Sequence, residues 1–169
     1  MKHIIRIQLE HKENVIRDIE ILSTKSLEDL HHAIIKSLEI NKNEIASFYM
    51  TNEKLDLLEE IPLFKIDEKD DSMLDMSQIT IKSVFSKIDS QLIYIYDFLK
   101  MWRFLISYYK QSESKNNITK TINSIGKMPK EAPEIIFKGE KKTEYSKEDN
   151  EEFGEDFNQN FDMFNDSEY

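Results

Sequence analysis

The chain has 169 residues, no cysteine and a formal net charge of -10; its length suits one core, and disulfides, thiolate nucleophiles and cysteine metal sites are excluded. The charge is uneven: residues 139–169 hold 11 acidic and 3 basic side chains, against 22 and 20 in residues 1–138, so the body offers no strongly basic face to a phosphate backbone. The opening MKHIIRIQLEH alternates apolar and polar residues instead of presenting the roughly 7–15 apolar residues of a signal peptide, and no stretch approaches the roughly 20 needed to span a bilayer; a cytoplasmic location away from membranes is expected.

Ile5, Ile7 and Leu9 alternate with Arg6, Gln8 and Glu10, the period of a half-buried strand. Residues 11–14 supply a turn, and Val15, Ile19 and Ile21 continue the alternation in a second strand, giving a hairpin. Arg17 shares the side of Val15 and Ile19, so it either snorkels to the sheet edge or pairs with a buried carboxylate. Residues 23–40 form the best helix. Ser26 is its N-cap, and Asp29 three residues on approximates a capping box. Leu27, Leu30, Ile34 and Leu38 recur on one face. His31 lies on that face and His32 points away, so the two cannot chelate one metal together. The spacing predicts a core-edge His31 bonded to backbone or carboxylate rather than a metal ligand or base. A hairpin followed by one helix resembles the opening half of the β-grasp fold, as in ubiquitin, which implies a helix across a sheet and further strands.

Residues 46–50 form a short candidate strand. Residues 55–66 are apolar but contain Pro62, so an edge strand or irregular segment is expected. Residues 67–75 read as an acidic loop and residues 80–87 as a short helix. Residues 91–110, QLIYIYDFLKMWRFLISYYK, are the densest apolar run and read as two strands joined near Leu99, Lys100 and Met101. Ile93, Ile95 and Asp97 share one face of the first strand; Leu92, Tyr94, Tyr96 and Phe98 share the other. On the second, Trp102, Phe104, Ile106 and Tyr108 oppose Arg103, Leu105, Ser107 and Tyr109. Apolar groups on both faces fit mid-sheet strands covered on two sides, by the main helix and by the short helix, loops or a partner.

Three segments resemble the plasmid pRiA4b ORF-3-like family, also known as passenger proteins of some insertion elements. VIRDIEILSTKSLEDLHHAI resembles its opening motif through Arg17 and Leu30-His31. LIYIYDFLKMWRF resembles its Tyr-Asp-Phe-Gly-Asp-x-Trp-Arg-His signature through Tyr96-Asp97-Phe98 and Trp102-Arg103. IGKMPKE resembles a later Gly–Pro motif. The departures are Leu99-Lys100 in place of Gly-Asp, Phe104 and Glu44 in place of histidines, and Ile16 in place of tryptophan. The apolar scaffold is kept and the potential metal-binding residues are mostly lost, as in a divergent branch with an acidic tail. The resemblance implies no established activity.

No Gly-rich phosphate loop or Gly-x-Ser-x-Gly elbow is present, and no catalytic residue, metal or cofactor is expected. The strongest polar constellation is Arg17, His31, Asp97 and Arg103. It is either one pocket or a structural salt-bridge network, and Arg17 is expected to reach Asp97. For the tail, residues 139–169, composition predicts disorder. Yet Phe153, Phe157, Phe161 and Phe164 recur on one face of a possible helix, a stripe suited to another protein. The expected fold is therefore α+β: an antiparallel-rich sheet opened by a hairpin, one main helix across it in residues 1–138, and a disordered or partly helical acidic tail. The expected function is a non-catalytic protein-interaction or accessory module associated with mobile elements. The alternatives are an accessory role in nucleic-acid transactions, with direct binding not expected, or a metal-dependent or hydrolytic enzyme using the Arg17, His31, Asp97 and Arg103 cluster.

Overall fold

The computed structural model describes residues 1–65 and 73–132. The described residues alternate strands with little helix: β1 (Lys2–Leu9), β2 (Ile16–Leu22), α1 (Leu27–Leu38), β3 (Ala46–Thr51), β4 (Leu57–Pro62), α2 (Ile81–Val84), β5 (Gln91–Tyr96), β6 (Trp102–Ser112) and β7 (Lys120–Ile125). All seven strands join one sheet in the order β4-β3-β5-β6-β1-β2-β7, and every neighbouring pair is antiparallel.

This corrects the α+β expectation. The hairpin and the helix that follows are present, but the helices have only 12 and 4 residues, and the rest of the described architecture is antiparallel sheet. Two segments make the difference. Residues 57–62 enter the sheet because Pro62 sits at the strand's last position on an edge, where a missing N–H is tolerated. Residues 120–125 form a strand whose side chains are nearly all exposed, so no apolar alternation announces it. The domain boundary between residues 138 and 139, and the four tail phenylalanines, lie outside the described residues.

The helix is built as its sequence dictates. Ser26 accepts from the Asp29 backbone N–H, and the Asp29 side chain accepts from the Ser26 backbone N–H, closing a capping box. Leu27, Leu30, His31, Ile34, Ile35 and Leu38 are buried. They meet one face of the sheet, where Ile5, Ile7, Ile19, Ile21, Phe48, Tyr94, Phe104 and Ile106 share their core. Ile81 and Phe85, in and just after α2, join that same core. The short helix therefore flanks α1; it does not cover the far face.

Tyr94 stands at the centre of this core. It pairs across to Phe48 and Phe104 in the neighbouring strands, and its ring lies 4.8 and 5.9 Å from theirs. On the far face Ile93 and Ile95 are also buried. There Arg103 donates to the Leu55 carbonyl at 2.7 Å, which lays the loop between β3 and β4 against that side.

Candidate functional site

The four polar residues of the expected cluster do not meet. Arg17 is buried, and its guanidinium donates to four backbone carbonyls. Its Nε donates to Ser37 at 2.9 Å, one guanidinium nitrogen to Ile16 at 2.8 Å and Ile125 at 2.7 Å, and the other to Gly126 at 3.0 Å. Ser37 lies in the last turn of α1, where carbonyls lack helical partners and a cation suits the helix dipole. Burial lowers the Arg17 pKa from the ordinary arginine value. The expected Arg17–Asp97 salt bridge is absent because β1 and β6 separate β2 from β5, roughly 14 Å at ordinary strand spacing, and the carbonyls at the ends of α1 and β7 satisfy the guanidinium instead.

His31 is equally committed. Its Nδ1 lies 2.8 Å from the Tyr94 hydroxyl. Burial, then the neighbouring His32, lowers its pKa to about 4, so it is neutral at pH 7. Burial raises the Tyr94 phenol well above the ordinary value. Neither member of this pair is poised for proton transfer near neutrality.

Arg103 sits on the opposite face of the sheet from Arg17 and His31. Besides Leu55, it makes an ionic contact with Glu10, Nε to Oε2 at 2.7 Å; the Nε–H is not aligned for a directed hydrogen bond. Among the described residues, no three His, Asp or Glu side chains gather to hold a metal ion. No helix there is long and apolar enough to cross a membrane.

Asp97 does something different. It opens the turn between β5 and β6, and both Asp97 and Met101 adopt left-handed backbone, with φ of 57° and 53°. The Asp97 carbonyl accepts from the Lys100 N–H at 2.9 Å and from Met101. Its carboxylate accepts from the Leu99 and Lys100 N–H groups, each at 3.2 Å, and faces the Lys100 ammonium at 3.3 Å. One side chain thus fixes the whole tip. Non-glycine residues hold such backbone only where local bonds over-determine it.

What this tip carries is apolar. Leu99 is 92% exposed, and Phe98 is exposed beside it. The Asp97 N–H donates to the Ile45 carbonyl at 3.0 Å, so exposed Ile45 adjoins the turn. In the next strand over, the Leu63 N–H donates to the Ala46 carbonyl at 3.2 Å, bringing exposed Phe64 to the same end of the sheet. Ile45, Phe64, Phe98 and Leu99 therefore line the end of four successive strands, β4-β3-β5-β6, across about 15 Å. Sequence reasoning missed this rim. The available signal was Leu99, an apolar residue at a turn position.

A model of the family described as "Plasmid pRiA4b ORF-3-like protein" matches residues 2–168. The chain belongs to that family. The fold is similar to that in a crystal structure of MM3350, a protein of unknown function from Methanosarcina mazei Go1, with a TM-score of 0.58 and 18% sequence identity over 73% of this chain and 68% of that one. No curated protein matches the chain. In this member of the pRiA4b ORF-3-like family, the signature residues have structural work. Arg17 clamps α1 to β7, His31 bonds Tyr94, Asp97 fixes a turn, Trp102 is buried and Arg103 ties Glu10 to Leu55. Gly126, of the later Gly–Pro motif, has a φ of 69°, and a Cβ there would lie 2.1 Å from the Asn14 carbonyl oxygen.

Proposed function

We propose that this protein is a non-catalytic interaction module that binds a partner protein through the apolar rim of Ile45, Phe64, Phe98 and Leu99. The observation that carries the reading is Leu99, held almost fully exposed at the tip of a turn that Asp97 fixes. An exposed apolar group in a rigid setting loses little freedom on docking, which favours binding. Clustered exposed apolar residues at one end of a fold mark interaction surfaces. The commitment of Arg17, His31 and Arg103 to structural partners supports a role without chemistry.

The tail residues Phe153, Phe157, Phe161 and Phe164 form a second contact in this proposal. Phenylalanines three and four apart suit an amphipathic helix laid in a partner's groove. Parallel affinity capture with full-length Leu99→Ser and Phe157→Ala/Phe161→Ala proteins separates the two contacts. Loss with the first alone assigns binding to the rim, loss with the second alone assigns it to the tail, and retention in both removes the proposal.

A further inference from the structure

Residues 115–130 contain Lys115, Lys120, Lys127 and Lys130 and no acidic residue, in a chain of net charge -10. All four lysines are exposed. The middle of this stretch is β7, which among the described residues pairs with β2 alone and ends the sheet. Ile122 and Ile125 are exposed on it, and Ile118 just ahead of it. An edge strand turns about half of its N–H and C=O groups away from its neighbour, ready for another strand.

This edge is held firmly from the β2 side. Glu20 faces Lys120 at 3.6 Å, Asp18 accepts from Asn123 at 3.0 Å, and Arg17 holds the Ile125 and Gly126 carbonyls. Three polar residues of β2 thus pin β7 along its length, so its free side is pre-ordered. The other edge has the opposite sign: β4 carries Glu59 and Glu60 and closes on Pro62. The β7 edge is thus flanked by exposed Lys115, Lys127 and Lys130, with Lys120 inside it turned to Glu20, whereas the β4 edge is acidic and proline-ended.

We infer that the free side of β7 takes an extended acidic peptide segment of a partner protein by antiparallel strand addition. Backbone hydrogen bonds supply the binding, the exposed isoleucines meet alternate apolar side chains, and the lysines select carboxylates. A second copy's β7 is a poor occupant, since the basic stretches flanking the two strands would be brought together.

The test uses the full chain and a fluorescein-labelled octapeptide of alternating glutamate and valine, followed by fluorescence anisotropy. Binding is expected to weaken at least about tenfold when Lys115, Lys127 and Lys130 are all changed to Glu, exposed positions whose change spares the three β2 ties. The same loss is expected when alternate peptide amides are N-methylated, which removes strand hydrogen bonds but no charge. Any of these binding results overturns the inference: no binding of the glutamate–valine peptide, equal binding of the N-methylated peptide, equal binding of a lysine–valine peptide, or stronger binding of a twelve-nucleotide oligothymidine, which would mark a phosphate site. Sedimentation that shows a dimer dissolved by the triple lysine change also overturns it, by giving the edge to a second copy. The Asp97-fixed rim is untouched in this experiment, so its outcome is independent of the rim's.

Discussion

The guanidinium of Arg17 donates to the carbonyl of Gly126 at 3.0 Å, across 109 residues of sequence. The same side chain holds Ser37 at the end of α1, so one residue joins the helix, β2 and the last described strand. Arg17→Met should leave several buried carbonyls without donors and cost on the order of 2–4 kcal/mol. Arg17→Lys should recover only a minor part, because an ammonium cannot span the same fork of acceptors. Urea melts of the three proteins check this; a loss under about 0.5 kcal/mol for the methionine variant removes Arg17 from the role of clamp.

Gly126 has no room for a side chain. With its left-handed φ and a Cβ only 2.1 Å from Asn14, Gly126→Ala must shift backbone. The expected cost is roughly 1–3 kcal/mol, appearing first as faster amide exchange in β7. Unchanged exchange would show that the Asn14 turn yields freely.

Trp102 faces Tyr96 across β5 and β6 and is 5% exposed. Trp102→Ala should cost about 3–5 kcal/mol. A denaturant midpoint that barely moves would place the ring's packing outside the stability of the fold.

Stability should fall in acid. Burial and His32 hold His31 to a pKa of about 4 against an ordinary 6.5, and burial with the nearby N-terminal charge lowers His3. A histidine depressed in the fold binds its proton more readily when unfolded. Its stabilisation is therefore complete above about pH 6.5 and is lost as pH drops toward 4, on the order of 3 kcal/mol for His31. Glu20, lowered by Lys2 and Ser112, adds a further loss below the ordinary carboxylate range. So does Asp18, where hydrogen bonds from Arg6 and Asn123 outweigh the raising effect of burial. Melting temperatures from pH 8 to pH 4 should be level at first and then decline below about 6.5; a constant value down to pH 4.5 contradicts the assignment.

Much of the fold was legible because its signals are local. The alternation at Ile5, Ile7 and Leu9, the capping residues Ser26 and Asp29, and the two aromatic strands each follow from short-range pattern. What escaped was non-local. β7 carries almost no buried side chain, and Arg17, Asp18 and Glu20, far away in sequence, hold it in place. That one omission, with the strand ending at Pro62, turned an antiparallel sheet with two short helices into an expected α+β fold. The polar cluster failed for a related reason: strand parity puts Arg17 on the inner face, but says nothing of the two strands between β2 and β5. The rim escaped because exposure is not written in composition; only Leu99 in a turn hinted at it.

The rim itself is tested by replacing Phe98 and Leu99 with serine and Ile45 with threonine in the full chain. All three side chains are exposed, so the thermal melt should stay within about 1 kcal/mol of the parent. Quantitative affinity capture, with the parent and the variant on matched resin and the bound proteins counted by mass spectrometry, is the direct measurement. At least one protein held by the parent should fall about tenfold or more with the variant while the melt is unchanged. Equal capture of every partner by the two proteins contradicts the rim as the binding surface.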